Sequence, residues 1–388
     1  MSKERIKCPT PPMGWNSYCS VNCDPSEELL MQAADKIVEL DLKDAGYIYI
    51  NLDDGWLRPE RDENGRLQIK EELFPHGMKY LTDYIHSKGL KAGTYLGCGI
   101  ATWNGGAGSL GHEFEDARQI AEWGFDYLKY DNHPMDNDPP RDTIFEYMKM
   151  GMAIESCGRE IIYNMCEHGR SKPWLWAQPC ADLWRIGTDV RDIYAGLTLP
   201  NYERGTLRIV EDFCIEAAPH VHKGGYNDPD MLTYGSRAQN DWMGPGCTDA
   251  EYRSGFALWC ILSAPLLLGA HPSRLTEEDV KTLTNPHMLG INQDILCIPG
   301  ERVRTEEFGP ELWVRKLSDF RWAVVLMNRG EQAGKFSFTW EEMNLSPNIP
   351  MNTLDAWPGK IVATQVKGSY EVEVDVHDSA VLILRPEF

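Results

Sequence analysis

At 388 residues with a formal net charge of −21, the chain is too long for one small domain, and it repels both nucleic acid and anionic membrane surfaces. A neutral ligand such as a sugar fits that charge balance better. Its apolar and charged fractions are those of an ordinary globular protein, which excludes a disordered chain. Eleven cysteines, an odd number scattered along a long chain, leave at least one free thiol and suit a reducing compartment. The first seven residues carry no apolar leader, and the stretch 258–268 is too short and interrupted to span a bilayer. The expectation is a cytoplasmic protein without a membrane partner.

In chain order, Ser26 is predicted to cap a helix running to about Lys43, with Leu29, Leu30, Ala33, Ala34, Ile37 and Val38 on its buried stripe. A β-prone run at 47–52 follows, then a helix near 77–87, a strand at 91–96, a helix near 112–123, a strand at 127–130, a helix near 142–156 and a strand at 161–165. Gly89 and Gly124 sit just past two of these helices, where a left-handed cap is expected. The alternation is that of βα units around a parallel sheet. Each strand ends in polar residues: Asp53-Asp54, Gly97-Cys98, Asp131-Asn132-His133 and Cys166-Glu167-His168. A (β/α)8 barrel presents carboxylates at strand C-terminal ends in this way. A doubly wound sheet gives a similar rhythm, but more often with a Gly-rich phosphate loop after its first strand, and the sequence has none.

From about residue 298 the rhythm changes. Short β-prone segments at 312–316, 322–327, 335–339, 371–376 and 380–384 alternate with turn-rich stretches such as Asn328-Arg329-Gly330. The predicted organisation is a catalytic barrel over 1–297 and an antiparallel β-sandwich over 298–388, the second expected to cover the first rather than to bind glycans.

Cleavage of a glycosidic bond with retention needs two carboxyl groups flanking the bond. Asp131 follows the apolar run Tyr127-Leu128-Lys129-Tyr130, and strand alternation gives Lys129 the same side-chain direction, where its cation would keep Asp131 ionised. A purely structural Lys–Asp pair has the same spacing. Asp53-Asp54 is a second strand-end acidic pair; hydrogen bonds to sugar hydroxyls would satisfy it, whereas no spacing typical of a calcium loop surrounds it. Trp184-Arg185-Ile186-Gly187-Thr188-Asp189 joins a guanidinium to a carboxylate suited to proton transfer, with an exposed ion pair as the competing reading. Asn227-Asp228-Pro229-Asp230-Met231 is a Pro-stiffened turn with two carboxylates. Trp15, in Met13-Gly14-Trp15-Asn16-Ser17, is read either as an aromatic platform for a sugar face or as core. No metal site is read from these spacings.

These pieces, in this order, resemble glycoside hydrolase family 27, the clan D α-galactosidases and α-N-acetylgalactosaminidases. The resemblance covers nearly the whole chain and adds Lys43-Asp44-Ala45-Gly46-Tyr47, Asp53-Asp54-Gly55-Trp56, Phe74-Pro75-His76-Gly77, Gly108-Ser109-Leu110-Gly111 and Gly290-Ile291-Asn292-Gln293-Asp294. It implies a (β/α)8 TIM barrel with a C-terminal β-sandwich and a two-step retaining mechanism on a carbohydrate substrate, without a cofactor. It implies Asp131 as nucleophile and Asp189 as acid/base. Asp53, Asp54, Lys129 and Arg185 match residues that hold sugar hydroxyls, Trp15 and Met231 match apolar pocket walls, and Tyr95 matches another pocket residue. Cys166, Glu167 and Asp230 lie in the matching motifs and are taken as substrate-binding. The favoured activity is release of terminal α-galactose, with α-N-acetylgalactosamine or a decorated galactoside as the alternative and a non-catalytic sugar-binding protein as the remaining one.

Three departures from the family stand out. Gly55 and His133 occupy positions where the family commonly has Cys, and the loop holding the second cysteine's usual partner reads Ala101-Thr102-Trp103-Asn104-Gly105. A pocket-rim disulfide is therefore expected to be missing, with Trp103 and His133 reshaping the rim. Cys166 and Cys180, paired in some relatives, are expected to be free thiols. In Cys166-Glu167-His168-Gly169 the Glu favours a 2-hydroxyl, while His168 stands where many galactosidases have Trp. Asp53-Asp54 in place of a longer Glu speaks against the β-L-arabinopyranosidases of the family.

Overall fold

The computed structural model describes residues 6–132, 142–196, 204–240, 242–305 and 310–387. Eight strands, β1 (Met13–Asn16), β2 (Tyr49–Asn51), β3 (Lys91–Gly97), β4 (Tyr127–Asp131), β5 (Ile162–Cys166), β6 (Leu183–Arg185), β7 (Tyr226–Asp228) and β8 (Leu266–Leu268), form one parallel sheet in the order β8-β1-β2-β3-β4-β5-β6-β7. Leu232, just past β7, closes the ring: its N–H donates to Leu267 O at 2.8 Å, and its carbonyl accepts from Gly269 N at 3.0 Å. The fold is a (β/α)8 barrel, as the strand-end carboxylates imply.

The helices form where the apolar spacing places them. Glu27–Glu39 starts on Ser26, whose Oγ accepts from Leu29 N at 3.2 Å, and buries Leu30, Ala33, Ala34 and Ile37. It ends four residues before the predicted Lys43, because Leu40 to Gly46 turn to feed β2. Met78–Ser87, Glu113–Trp123 and Thr143–Ser156 fall within two residues of expectation. Gly89 and Gly124 adopt φ of +72° and +95°, the left-handed conformation their positions predict.

Strand alternation then sorts the barrel into layers. One side chain in two points outward, where Ile50, Leu128, Tyr130, Tyr163, Met165 and Trp184 pack in the large core between sheet and helices. The inward set starts with an apolar floor of Tyr49, Tyr127, Ile162, Leu183 and Tyr226. Two residues further along each strand stand Asn51, Lys129, Asn164, Arg185 and Asp228, all buried, and another step brings Asp53, Asp131 and Cys166. The interior thus passes from hydrocarbon to ionised groups as it approaches the C-terminal mouth, where water and ligand enter.

The second sheet has six antiparallel strands: β9 (Glu301–Arg304), β10 (Pro310–Leu317), β11 (Arg321–Asn328), β13 (Met351–Asp355), β14 (Lys360–Val366) and β16 (Ser379–Pro386), in the order β9-β10-β11-β16-β13-β14. It packs on a two-stranded antiparallel sheet of β12 (Gly334–Thr339) and β15 (Ser369–Val374), which are separated in the chain by β13 and β14. Leu312, Val324, Leu326, Leu382 and Leu384 fill the space between the two sheets with Phe338 and Trp340. The alternate residues Trp313, Ala323, Val325, Val381 and Ile383 belong to the barrel's own core, facing helix Asp249–Ile261. Buried Arg315 fixes the junction, donating to Cys260 O at 2.8 Å. One face of the sandwich therefore covers the barrel. Among the described residues no helix is long and apolar enough to cross a membrane.

Candidate active site at the barrel mouth

The register sets Gly97, Asp131 and Cys166 level on neighbouring strands, one step above Tyr95, Lys129 and Asn164. Asp131 is gripped at both oxygens. Tyr95 OH donates to Oδ2 at 3.0 Å, and Asn132 N–H donates to Oδ1 at 2.7 Å. His168 Nε2 lies 3.1 Å from that same Oδ1. Burial works against ionisation here, but the hydrogen bond and charge of His168, followed by the charge of Lys129, hold the Asp131 carboxyl well below the usual carboxylate range.

The other ring nitrogen of His168, Nδ1, lies 3.7 Å from Asp189 Oδ1. One imidazole therefore touches both carboxylates whose positions on the sequence are 58 residues apart. Asp189 is the more open of the two, its side chain 32% exposed against 14% for Asp131. Arg185 Nη2 donates to Asp189 Oδ1 at 3.0 Å while its Nη1 meets Asp230 Oδ1 at 3.1 Å. Burial would raise the Asp189 carboxyl, yet Arg185 and then His168 bring it down to about 2. For Asp230 the balance runs the other way: burial, only partly offset by Arg185, pushes it up to about 6. Asp230 also has φ +94°, a strained conformation for a non-glycine residue, held by Val190 N–H donating to Oδ2 at 2.8 Å and by Trp259 Nε1 donating to its carbonyl at 3.2 Å.

Lys129 pairs with Asp53, not with Asp131: Nζ lies 2.9 Å from Asp53 Oδ2, which also accepts from Asn16 Nδ2 at 2.7 Å. The spacing argument put Lys129 on the correct side of the strand but one pleat too deep to touch Asp131, so it acts on that carboxylate only through space. Asp54 accepts from Gly55 N at 2.7 Å and from Asn104 N at 2.6 Å, and burial still pushes its carboxyl up to about 6.

Trp15 requires a correction. It packs on the outer side of β1 in the core shared with the helices, fully buried, its indole N–H donating to Ser20 Oγ at 3.3 Å. Strand alternation sends Asn16, not Trp15, into the barrel, so the proposed platform is core. The aromatic ring that this segment brings to the pocket side is Tyr18, 5.5 Å from the Lys129 ammonium and edge-on to Trp242. No sequence spacing marks it, because β1 is only four residues long, too short for its alternation to show. Met231 does face inward, with Sδ 3.6 Å from Cys19 Sγ. Cys166 accepts from Arg185 Nη1 at 3.5 Å. Glu167 turns to its own loop, where Ser171 donates from N at 3.0 Å and from Oγ at 2.8 Å, and burial raises its carboxyl. Trp103 is 59% exposed on the rim; His133 lies outside the described residues.

None of the eleven cysteines forms a disulfide, Cys166 and Cys180 included. At position 55 the backbone itself excludes a bridge: φ is +109°, and a Cβ there would lie 2.2 Å from Cys23 O. Gly55→Cys is therefore expected to cost about 1–3 kcal/mol of stability and to form no disulfide. Thiol titration in denaturant should read twelve, one more than the native eleven. A titre of ten, from a bond to a native cysteine, overturns this.

A barrel mouth with two facing carboxylates, further aspartates and buried cations belongs to an enzyme that grips hydroxyl-rich substrates and cleaves them, a glycoside hydrolase. Residues 10–294 match the family model described as α-galactosidase A, and residues 307–384 match that of the α-galactosidase C-terminal β-sandwich domain. α-Galactosidase 3 of Arabidopsis thaliana is 36% identical over 97% of this chain and 82% of its own length. Among solved structures, α-galactosidase I of Mortierella vinacea superposes with a TM-score of 0.90 at 30% identity, covering 99% of this chain and 98% of that one. The Saccharomyces cerevisiae α-galactosidase solved with raffinose gives 0.88 at 27% identity over 98% of each chain. The chain belongs to the α-galactosidase family of glycoside hydrolases.

Proposed function

We propose that the chain is a retaining, exo-acting α-galactosidase in which Asp131 attacks the anomeric carbon while Asp189 protonates the departing oxygen. The observation that carries this is that His168 reaches both carboxylates, Nε2 3.1 Å from Asp131 Oδ1 and Nδ1 3.7 Å from Asp189 Oδ1, which brings two residues distant in the chain together at one mouth. Asp131 suits the nucleophile's part because its neighbours keep it ionised across the working pH range. Arg185 lowers the Asp189 carboxyl in the free site, so a sugar hydroxyl that shares this guanidinium would weaken that hold and favour the protonated acid. The charge on Asp131 raises the Asp189 carboxyl, so esterification of Asp131 removes that influence and leaves Asp189 as a stronger acid, ionised and ready to take a proton from water in the second step.

Asp53, Asp54 and Lys129, with Arg185 and Asp230, form the sugar-holding set in this reading. Their buried, mutually paired geometry leaves little for a non-polar ligand and much for hydroxyl groups. Eleven cysteines without a disulfide support a cytoplasmic location. The test is hydrolysis of nitrophenyl α-galactoside beside its 2-acetamido analogue, with proton NMR of the first anomer released. Faster cleavage of the galactoside with α-galactose appearing first is expected. Preference for the acetamido sugar, or first release of the β-anomer, overturns the substrate or the stereochemistry respectively.

A further inference from the structure

We infer that Asp131, Cys166 and His168 form a binding site for a thiophilic divalent cation such as Zn²⁺, and that the ion, when bound, blocks the nucleophile. The inhibitory consequence rests on the functional reading above; binding of the ion does not.

The donor set is carboxylate, thiol and imidazole, the three protein ligands that suit a borderline-soft ion. One atom from each lies within 4.8 Å of the others. His168 Nε2 is 3.1 Å from Asp131 Oδ1 and 3.9 Å from Cys166 Sγ. A tetrahedral ion with bonds of about 2.0–2.3 Å spaces neighbouring ligand atoms about 3.3–3.6 Å apart. Shifts of a few tenths of an ångström bring His168 to that spacing from both partners, and the Asp131–Cys166 pair needs at most about an ångström, which side-chain rotation supplies. The surroundings supply a second, independent feature. Metal-bound imidazoles usually donate their other N–H to a carboxylate, which fixes the tautomer. His168 Nδ1 faces Asp189 Oδ1 at 3.7 Å.

Charge favours the ion as well. Asp53, Asp54, Asp131, Asp189 and Asp230 stand against only Lys129 and Arg185 among the site residues described above. Each cation is already engaged, Lys129 with Asp53 and Arg185 with Asp189 and Asp230. The loop holds the imidazole in place at a backbone cost: His168 has φ +61°, and Gly169, at φ +74°, has no room for a Cβ, which would meet Ile186 O at 2.1 Å. The site was not legible as a spacing, since Asp131 and the Cys166-x-His168 pair come from different strands.

Titration of the reduced, full-length protein with Co²⁺ is expected to give one equivalent bound and a near-ultraviolet sulfur-to-cobalt charge-transfer band, which Zn²⁺ abolishes by displacement. Cys166→Ser should lose the band, His168→Asn should weaken binding at least about tenfold, and Cys23→Ser, altering a half-buried thiol outside the triad, should change neither. Absence of a band in the native protein, or a band that survives Cys166→Ser, overturns the site. If the band appears but added galactose fails to compete with the ion, the site stands and its placement in the sugar pocket falls.

Discussion

Asp131→Asn is expected to lower kcat by about 10⁴- to 10⁶-fold while leaving galactose binding measurable by calorimetry. The amide retains an oxygen to accept from Tyr95 OH, which donates to Asp131 at 3.0 Å, so the pocket keeps its shape and loses only the attacking charge. A smaller side chain separates the roles of the two aspartates. In Asp131→Gly, azide added with an activated aryl α-galactoside enters the vacated space and attacks the sugar directly, giving the β-galactosyl azide. In Asp189→Gly the covalent intermediate still forms, and azide displaces Asp131 from it to give the α-azide. Exchange of these two product configurations between the variants would reverse the assignment. Asp131→Asn retaining more than a hundredth of native turnover would remove it altogether.

Arg185→Leu is expected to destabilise the fold by about 3–5 kcal/mol near neutral pH, because it strands a charge in the interior. Arg185 is the cation for both Asp189 and Asp230, and the side chain of Asp230 is only 3% exposed. The direction with pH follows from the folded-state values. Burial already holds the Asp230 carboxyl up at about 6, above its ordinary value of about 3.9. A carboxyl raised on folding costs stability in full above its folded pKa; the cost shrinks as pH falls below that value and is gone only below the unfolded pKa of about 3.9. Losing Arg185 raises Asp230 further and enlarges the cost. The melting deficit of Arg185→Leu relative to the native protein should therefore be larger at pH 8 than at pH 5. The Asp189 contribution behaves oppositely in kind: its carboxyl, lowered to about 2, stabilises the native fold above about pH 3.9 and yields that contribution only in stronger acid. In the native protein that contribution is constant between pH 5 and 8; in Arg185→Leu the Asp189 carboxyl loses the same cation and moves upward too, adding to the deficit in the same direction as Asp230. Equal deficits at the two pH values would show that neither carboxylate partner of Arg185 is stranded by its loss.

The long helices and the central strands were legible because period and capping act locally. Ser26 is an N-cap in sequence and in space, and Tyr127-Leu128-Lys129-Tyr130 reads as a strand before any neighbour is known. The strands β1, β6, β7 and β8 run to three or four residues, too few for alternation to register, and owe their form to the strands beside them. Strands β13 and β14 escaped notice for a related reason. Strand β14 leaves apolar Ile361 and Val362 exposed side by side, and β13 has only two fully buried positions, so the apolar alternation is blurred in both.

The same division holds for the site. Sequence by itself determined which acidic residues end the strands and that the chain belongs with the α-galactosidases, because motif order and strand-end placement are properties of the linear chain. Only the tertiary structure decided which groups touch. It gave Lys129 to Asp53, turned Trp15 into core and brought Tyr18 to the pocket, and it set His168 between Asp131 and Asp189. The physical reason is that each of these outcomes depends on the pleat and stagger of neighbouring barrel strands. A shift of one residue reverses a side chain's direction and a shift of two changes its depth, and neither quantity is encoded in any one segment.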